Sequence, residues 1–384
     1  MNNVLKILNQ NKLKLAIILD KTLTFIFGGL RNSYTSPISN PKRIVVVQSH
    51  LIGDLIMATP MLRALKKAYP DAVITLVANE FATELLQGQP YVDMIITMKF
   101  PWSTYDYSMG NIYKVFKVIK RLRACRFDLA IDAQIDMRNA FLLYIIGAKR
   151  RLGYDITGCS IFLTDVPQLP NDKDNFLEIR LSLLDYLSID TSDKKTLLLI
   201  EKQNKDWVDS YLLDNNLNKN KVVGIHPGAS VKEKLWQPEE FKKVIDFLND
   251  KGYHSVIIEG PADNKIVDAI ISLCNNMPLR LKTNLKNVIA FISTCRLLVC
   301  MDSGVAHIAG AVGTPIIVLY GPQPPEICRP LVDNIEVIWD ESSDCRPCEY
   351  GKCKNISHRC MDAIKAETVI SKIIKQVDML DTRQ

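Results

Sequence analysis

Short apolar segments rich in β-branched residues alternate with segments of helical periodicity, and this alternation limits the possible folds more than any other feature of the chain. The first cycle predicts a strand over 43–48, a helix over 55–68 and a strand over 72–78. A second series begins with a strand over 222–226 and continues to a strand over 315–320. Strands that alternate with helices form parallel sheets covered by helices on both faces. The sequence therefore predicts an α/β protein with two parallel-sheet domains.

The chain length and a change of pattern near its middle set the expected domain boundaries. A chain of 384 residues is long enough for two domains, each with its own core. The alternation loosens between residues 167 and 204, and we place the junction there. The expected divisions are an N-terminal arm over 1–40, a first domain over 41–185, a second domain over 186–345, and a cysteine-rich loop with a closing helix over 346–384. Two such domains are expected to bind a ligand between them, at the carboxyl ends of their strands.

The N-terminal arm has the pattern of a helix that lies on a membrane surface. Its most apolar stretch, residues 13–30, contains three charged residues, so neither a membrane span nor a cleaved signal peptide is expected. Lys12 and Lys14 lie among apolar residues such as Leu5 and Leu8, as in a basic amphipathic helix. The alternative is a helix that docks on the protein or is frayed. The net charge of +6 fits an acidic substrate or an anionic membrane surface and does not by itself indicate nucleic-acid binding.

The loop after the first strand carries a candidate catalytic base. Gly53 and Asp54 stand where the carboxyl end of a strand opens onto the start of a helix. Gly53 lets the backbone approach a ligand closely. Asp54 has two interpretations, because an aspartate at this point can cap the helix or can take a proton from a sugar hydroxyl.

A strand–turn–helix junction in the second domain is a candidate anion site. A strand ends at residue 300 and a helix begins near Ser303, so free N–H groups and the positive end of the helix dipole would face a diphosphate. Taken singly, Asp302 also fits a helix cap and His307 a core histidine. The residues predicted to form this site are Asp302, Ser303, Gly304, Val305, Ala306 and His307.

Two further loops of the second domain follow strands and carry polar side chains. Lys234 would supply a positive charge to a phosphate and Ser230 a hydroxyl donor, although a lone lysine is usually a solvated surface residue. The segment 259–263 follows the next strand, where an acidic side chain fits either ribose hydroxyls or a turn. The dinucleotide-binding, P-loop, zinc-protease and nucleophile-elbow motifs do not occur in the sequence.

Taken together, these segments resemble glycosyltransferase family 9, the heptosyltransferases that build the inner core of lipopolysaccharide. The first loop matches less well at His50 and Leu51, where small polar residues are common in the family. The matching segments, in the family's order, are Ile52-Gly53-Asp54, His226-Pro227-Gly228-Ala229, Lys234-Leu235-Trp236, Gly260-Pro261, Asp302 to His307, Gly313-Thr314-Pro315 and Tyr320-Gly321-Pro322.

The resemblance implies a GT-B architecture, in which two Rossmann-like domains face each other across a cleft. It implies a cytoplasmic enzyme, peripheral on the inner membrane, that transfers heptose with inversion from ADP-heptose to lipopolysaccharide core or another acidic glycolipid without a cofactor. Asp54 would be the general base, and Ser230 and Lys234 would bind the donor phosphates. The helix start at Ser303 would bind the diphosphate, and Asp263 corresponds roughly to an acidic ribose-binding position.

Two alternatives to this function stay open. One is a family member that uses a different nucleotide sugar, or a protein or O-antigen acceptor. The other is a non-catalytic binding protein that keeps the GT-B scaffold. Basic clusters at 66–67, 117–126 and 149–151 fit a phosphorylated or carboxylated acceptor, or are simply solvated helix faces.

A cysteine cluster lies near the C-terminus, apart from the sugar-transfer motifs. Its spacing fits a tetrahedral zinc or iron site, disulfides in an oxidising compartment, or reduced cysteines that pack in the protein. None of these alternatives gives it a part in sugar transfer. The cluster consists of Cys345, Cys348, Cys353 and Cys360.

Overall fold

The computed structural model divides the chain into two compact domains, residues 1–196 (domain 1) and 197–384 (domain 2). Within the part of the chain that the structure describes, no helix is long and apolar enough to cross a bilayer. The predicted arm over 1–40 lies almost entirely outside the described residues. The described residues are 18, 22, 38–104, 106–156, 160–170, 175–343, 345, 353 and 358–381.

Domain 1 is built on a sheet of five parallel strands. These are β1 (Arg43–Gln48), β2 (Val73–Ala78), β3 (Met94–Thr97), β4 (Leu129–Asp132) and β5 (Arg150–Leu152). Their order in the sheet is β3-β2-β1-β4-β5. In the central strand β1, Arg43 is opposite Val73 of β2 and Ile44 is opposite Leu129 of β4. Residues 44–48 are all fully buried, which means that both faces of the sheet are covered.

The first predicted helix of domain 1 is divided in two. In place of one helix over 55–68, the chain forms separate helices on either side of Ala58. Pro60 explains the break, because proline has no N–H to donate to the carbonyl of Ile56. That carbonyl accepts a hydrogen bond from the Thr59 hydroxyl instead, at 2.8 Å. The helices of domain 1 are α1 (Ile52–Met57), α2 (Thr59–Ala68), α3 (Phe81–Leu86), α4 (Pro101–Thr104), α5 (Met109–Ala124), α6 (Met137–Ile145) and α7 (Phe176–Asp185).

One face of the domain 1 sheet packs against α5 and α6. Val45 and Val47 of β1 share a core cluster with Leu122 of α5 and with Ala140 and Leu143 of α6. These side chains fix the positions at which the two helices cross the sheet. The outer surface of α5 is therefore the surface opposite Leu122.

Residues 186–196 remain with domain 1, although the sequence pattern places the domain junction after residue 185. Ion pairs hold this segment back on the first domain. Asp193 pairs with Arg63 of α2, and Asp190 pairs with Lys67 at 3.2 Å. The sequence of this segment is charged and poorly periodic, which is typical of a linker. In the structure it contacts helix α2 of domain 1.

Domain 2 is built on six parallel strands. These are β6 (Val222–His226), β7 (His254–Ile258), β8 (Leu279–Leu281), β9 (Leu297–Met301), β10 (Ile316–Tyr320) and β11 (Ile335–Trp339). Their order is β11-β10-β9-β6-β7-β8. The predicted fold class of two parallel-sheet α/β domains is thus confirmed.

The C-terminal segment belongs to the core of domain 2. The indole of Trp236 is buried, and its Nε1 donates a hydrogen bond to the Ile364 carbonyl at 2.9 Å. Val369 and Ile373 of the last helix lie in the same core cluster. The helices of domain 2 are α8 (Lys202–Asp214), α9 (Pro238–Asp250), α10 (Asn264–Leu273), α11 (Leu285–Thr294), α12 (Gly304–Val312), α13 (Pro325–Cys328), α14 (Arg359–Asp362) and α15 (Ala366–Asp381).

Each sheet has a point at which the order of its strands reverses. In domain 1 the reversal lies between β1 and β4, and in domain 2 it lies between β6 and β9. In open α/β sheets, ligands bind beyond the carboxyl ends of the strands at such switch points. The loops that follow β1, β4, β6 and β9 are therefore where functional side chains are expected.

Candidate functional site

Asp54 lies beyond β1, at the switch point of domain 1. Helix α1 begins at Ile52, and Leu51 occupies the N-cap position in an extended conformation. Asp54 is therefore in the first turn of the helix and does not cap it, so the capping interpretation is wrong. Its Oδ1 instead accepts a hydrogen bond from Nη2 of Arg180 at 2.6 Å.

Arg180 is the main partner of Asp54 that the sequence did not reveal. It projects from α7, and its side chain is 1% exposed, whereas that of Asp54 is 20% exposed. Its Nε also donates to the carbonyl of Ala133 at 2.7 Å, and the Phe176 ring lies 5.6 Å from its Cζ. A buried guanidinium that is fixed at two points gives the Asp54 carboxylate one orientation. The available signal was a single cation within the largely apolar helix 176–185.

A second group of polar side chains lies beside Asp54. His50 Nδ1 is 2.9 Å from Nε2 of Gln134, which follows β4. An amide nitrogen can only donate, so Nδ1 is the acceptor of a neutral imidazole. Burial lowers the pKa of His50, although the carboxylates of Asp54 and Asp136 oppose this effect. His50 is therefore suited to contact a neutral polar group, such as a sugar hydroxyl, near Asp54.

The loop after β4 is held in a strained conformation. Ile135 has a φ of 62°, which is unusual for a β-branched residue. The buried carboxylate of Asp132 accepts the N–H groups on both sides of it, from Gln134 at 2.9 Å and Asp136 at 2.8 Å. Burial raises the pKa of Asp132 to about 6 despite these hydrogen bonds. Strain of this kind persists only where the surroundings enforce it, and it is concentrated at functional sites.

Lys234 and Asp302 meet at the switch point of domain 2. Nζ of Lys234 lies 2.5 Å from Oδ2 of Asp302, and both side chains are buried. The sequence assigned both residues to the donor site without predicting this contact. The pair fixes the ammonium next to the start of α12, where a phosphate group would need a positive charge.

The start of α12 has the open geometry that an anion needs. Ser303 is its N-cap, extended with φ −150° and without a side-chain capping bond. Ser303, Gly304 and Val305 are partly exposed, so the first-turn N–H groups, which lack partners within a helix, are near the surface. A ligand can therefore reach the predicted residues 303–305. Ala306 and His307 are buried and lie inside the packed domain.

Asp263 is fixed between two glycine-containing loops. Its Oδ2 lies 3.4 Å from Nε2 of His226 and accepts the Gly260 N–H at 2.9 Å. Burial opposes ionisation, but the His226 contact and the Gly260 N–H nevertheless hold the pKa of Asp263 below its usual range. A Cβ atom added at Gly228 or Gly260 would overlap the Asp263 carboxylate. Glycine at both positions is therefore what makes room for this carboxylate.

The remaining predicted residues have different surroundings. Ser230 is exposed on the loop after β6, where its hydroxyl is accessible. Gly53 is buried in the first turn of α1. The acid that follows β7 directly, Glu259, is occupied by Arg280 and by Lys282 at 2.8 Å, so Asp263 is the more accessible carboxylate of that loop.

The cysteine cluster is described only in part. Cys345 and Cys353 are partly buried, and Cys360 is buried on α14 within the core of domain 2. Cys348 lies outside the described residues. Over the described ranges, no three His, Cys, Asp or Glu side chains form a group able to hold a metal ion.

Comparison with known proteins identifies the family. The model of glycosyltransferase family 9 (heptosyltransferase) matches residues 115–357. Lipopolysaccharide heptosyltransferase 3 of Escherichia coli is 30% identical over 329 residues, which cover 83% of this chain and 93% of the relative. Lipopolysaccharide core heptosyltransferase OpsX of Haemophilus influenzae is 26% identical over 357 residues, which cover 87% of this chain and 97% of the relative.

Solved structures share the fold. The glycosyl transferase family 9 protein of Veillonella parvula matches with a TM-score of 0.78 at 24% identity, over 89% of this chain and 99% of that chain. The E. coli ADP-heptose lipopolysaccharide heptosyltransferase II matches with a TM-score of 0.70 at 22% identity, over 88% and 99%. The resemblance read from the motifs is therefore confirmed. The chain belongs to glycosyltransferase family 9, the heptosyltransferase family.

Proposed function

We propose that this protein is an inverting heptosyltransferase that transfers a heptose from ADP-heptose to a hydroxyl of lipopolysaccharide core or a related acidic glycolipid. The main support for the proposal is the position of the family's motifs in the two domains. Asp54 lies at the switch point of domain 1, and the Lys234–Asp302 pair and the start of α12 lie at that of domain 2. The relatives named above are lipopolysaccharide heptosyltransferases, and one structural neighbour carries ADP-heptose in its name.

Domain 2 would bind the donor. The first-turn N–H groups of α12 and the Lys234 ammonium offer positive charge to the two phosphates of ADP-heptose. The exposed Ser230 hydroxyl adds a hydrogen-bond donor. Asp263, fixed as a carboxylate acceptor, suits the ribose hydroxyls. The same groups stabilise the negative charge that develops on the diphosphate as it leaves.

Domain 1 would bind the acceptor and supply the base. The acceptor hydroxyl attacks the anomeric carbon of the heptose, and its proton passes to the Asp54 carboxylate. The bond between the anomeric carbon and the phosphate oxygen breaks, and ADP departs with its electron pair. One displacement from the opposite side inverts the anomeric configuration. The Arg180 hydrogen bond holds the Asp54 carboxylate in one orientation for this proton transfer.

The test is release of ADP from ADP-heptose in the presence of heptose-deficient lipopolysaccharide. We expect the wild type to release ADP only with the acceptor present, and Asp54→Asn to lose turnover while retaining ADP affinity. Glu84→Gln, which changes a carboxylate on α3 to an amide in the same way, is the matched control. Turnover of Asp54→Asn at the wild-type rate would contradict the assignment of the base.

Nucleotide preference separates this proposal from the alternatives. ADP should raise the melting temperature more than UDP or GDP do. Stabilisation by UDP or GDP alone would indicate a different donor sugar nucleotide. No stabilisation by any of the three would indicate a non-catalytic scaffold.

The proposed reaction uses no cofactor, because α12 and Lys234 supply the positive charge that the leaving diphosphate needs. Enzyme treated with EDTA should therefore release ADP at the untreated rate, and a loss that Mg²⁺ restores would contradict this.

The cysteine cluster is assigned a structural role only. Elemental analysis and thiol titration of anaerobically purified protein separate its three alternatives. Zinc or iron near one per chain indicates a metal site. In metal-free protein unfolded in denaturant without reductant, four titratable thiols from the cluster indicate packed, reduced cysteines, and their absence indicates disulfides.

We also propose that the enzyme acts in the cytoplasm at the surface of the inner membrane. An acceptor anchored by lipid chains is presented at a bilayer, so an enzyme that acts on it must approach that surface. Fractionation of cells that express the whole chain, and of cells that express a chain starting at residue 40, tests the contribution of the arm.

A further inference from the structure

Helix α5 of domain 1 turns large apolar side chains to water. The exposed fraction rises from 43% for Ile112 through 60% for Tyr113 and 65% for Phe116 to 81% for Met109. In this 16-residue helix only Asn111 and Leu122 are buried. Scattered exposed apolar residues are ordinary, but four within two turns of one helix form a patch.

The same helix carries positive charge that no acidic side chain of the described residues neutralises. Its sequence contains five cations and no acidic residue. None of the five forms an ion pair with an acidic side chain of the described residues, whereas other cations of domain 1 do: Lys66 pairs with Asp93 and Lys149 with Asp128. The cations of α5 are Lys114, Lys117, Lys120, Arg121 and Arg123.

The apolar and basic residues share the outer surface of the helix. At about 100° per residue, Met109, Tyr113, Phe116 and Lys120 fall within an arc of about 60°. This arc lies away from Leu122, the residue that anchors α5 in the core. The apolar side chains occupy the first two turns of the helix, and most of the cations occupy the last two.

An anionic bilayer complements this surface in both respects. Apolar side chains of an interfacial helix enter the boundary between headgroups and acyl chains, while its cations attract anionic lipids. Each Lys or Arg near such a surface contributes independently, so the cations on or beside the apolar arc, Lys117, Lys120 and Arg123, add to one another. Tyrosine suits the headgroup level because its ring is amphipathic. In solution the same residues would leave an apolar patch exposed and like charges adjacent.

We propose that the outer surface of α5 binds the anionic surface of a phospholipid bilayer and so holds domain 1 next to a lipid-anchored acceptor. The significance of this contact rests on the proposed function, but the binding itself does not require donor or acceptor. Vesicle binding can therefore fail while sugar transfer succeeds, or the reverse. Of the three basic clusters in the sequence, 117–126 is the one whose helix combines unpaired cations with an exposed apolar patch.

Sedimentation of the full chain with vesicles tests the proposal. The vesicles are phosphatidylcholine alone, or phosphatidylcholine with one third phosphatidylglycerol. We expect binding only to the mixed vesicles, and weaker binding at high salt. Removing the apolar contribution (Tyr113→Ser with Phe116→Ser) or two charges (Lys117→Gln with Lys120→Gln) should each reduce the affinity by about tenfold or more.

Matched controls come from domain 2. Leu213 and Met277 are 77% and 78% exposed, so Leu213→Ser with Met277→Ser removes apolar side chains that are at least as exposed as Tyr113 and Phe116. Lys219→Gln with Lys221→Gln removes two exposed charges. Neither pair should change vesicle binding, and all four double variants should keep ADP release on a delipidated acceptor.

Three results would overturn the proposal. The first is a wild type that binds neither vesicle. The second is α5 variants that bind the mixed vesicles as tightly as the wild type, which would assign the contact to another segment, such as the arm. The third is a concentration-dependent dimer in the wild type that the Tyr113 and Phe116 substitutions dissociate, which would make the patch an interface between copies of the chain.

Discussion

Replacing Asp54 by alanine should destabilise domain 1 as well as stop sugar transfer, because it leaves Arg180 without its anion. The Arg180 side chain is 1% exposed and that of Asp54 is 20% exposed, so the guanidinium is the partner that water cannot reach. Removing one partner of a buried ion pair costs about 3–5 kcal/mol. Since Asp54 is partly solvated, we expect the lower end, a loss of about 3 kcal/mol in the free energy of unfolding.

Two further variants separate stability from catalysis. Asp54→Asn keeps an oxygen that accepts the Arg180 Nη2 hydrogen bond, so it should cost about 1 kcal/mol. Asp54→Ala combined with Arg180→Met removes both charges, and methionine occupies much of the space of the arginine stem. In the double variant the Ala133 carbonyl loses the hydrogen bond from Arg180 Nε, but it still accepts one from Gln48 Nε2 at 3.4 Å. The double variant should therefore be more stable than Asp54→Ala, with a coupling of about 1–3 kcal/mol.

Urea-induced unfolding, followed by circular dichroism, measures these free energies. The reasoning would be refuted by an Asp54→Ala variant as stable as the wild type. It would also be refuted if the double variant lost as much free energy of unfolding as Asp54→Ala and Arg180→Met alone lose in sum. Either result would mean that the guanidinium does not depend on Asp54 for its neutralisation. In ADP release, both Asp54→Asn and the double variant should be inactive.

Three more predictions concern the other buried groups. Gly228→Ala should displace the Asp263 carboxylate. ADP binding, measured by calorimetry, should then weaken about tenfold, and the free energy of unfolding should fall by about 1 kcal/mol, the value of a hydrogen bond. Unchanged affinity for ADP would mean that Asp263 does not bind the ribose. Lys234→Met should leave the buried carboxylate of Asp302 without its counter-ion and lower the free energy of unfolding by about 3 kcal/mol, whereas Lys234→Arg should lose much less; equal losses would contradict this. For Asp132, burial raises the pKa from 3.8 to about 6, so the folded protein binds more protons than the unfolded chain between these values and the contribution of Asp132 to stability falls as pH rises through that window. Asp132→Asn should lack this component when urea unfolding is compared at about pH 4, 5, 6 and 7, and identical pH profiles would refute it.

The predictable parts of the fold are the buried central strands. The strands over 43–48 and 222–226 have the bounds that the sequence predicts, because uniform apolar runs leave few alternatives. The strands β5, β8 and β11 were missed, and all three lie at the edges of their sheets. β5 and β8 have only three residues each, and all three strands contain charged residues that pair with distant segments, such as Arg150 with Asp165, Arg280 with Glu259 and Glu336 with Lys372.

Helix α8 was missed for a related reason. Its sequence is mostly polar and charged, so the region looked like a linker. Only Asn204, Val208 and Leu212 are buried, one in each turn, and this stripe is too narrow to stand out from the sequence alone. Tertiary packing rather than local pattern places this helix.

The sequence predicts the position of single site residues that follow strands. It does not predict contacts between residues from distant segments. Asp54, Lys234 and Asp302 follow strands, so their placement beyond the sheets could be inferred. The contacts of Asp54 with Arg180 and of Lys234 with Asp302 could not be inferred, because no local rule relates residues 126 positions apart or specifies which cation meets which carboxylate.

The separation of Asp54 from Arg180 also has a consequence for synthesis of the protein. Arg180 follows Asp54 by 126 residues. Ribosomes add about 5–20 residues per second, so Arg180 is synthesised roughly 6–25 s after Asp54. During that interval the strands of the domain 1 sheet are made, but the loop that carries Asp54 has no guanidinium to orient it. A chain truncated before α7 would therefore contain all five strands of the sheet and lack the Asp54–Arg180 pair.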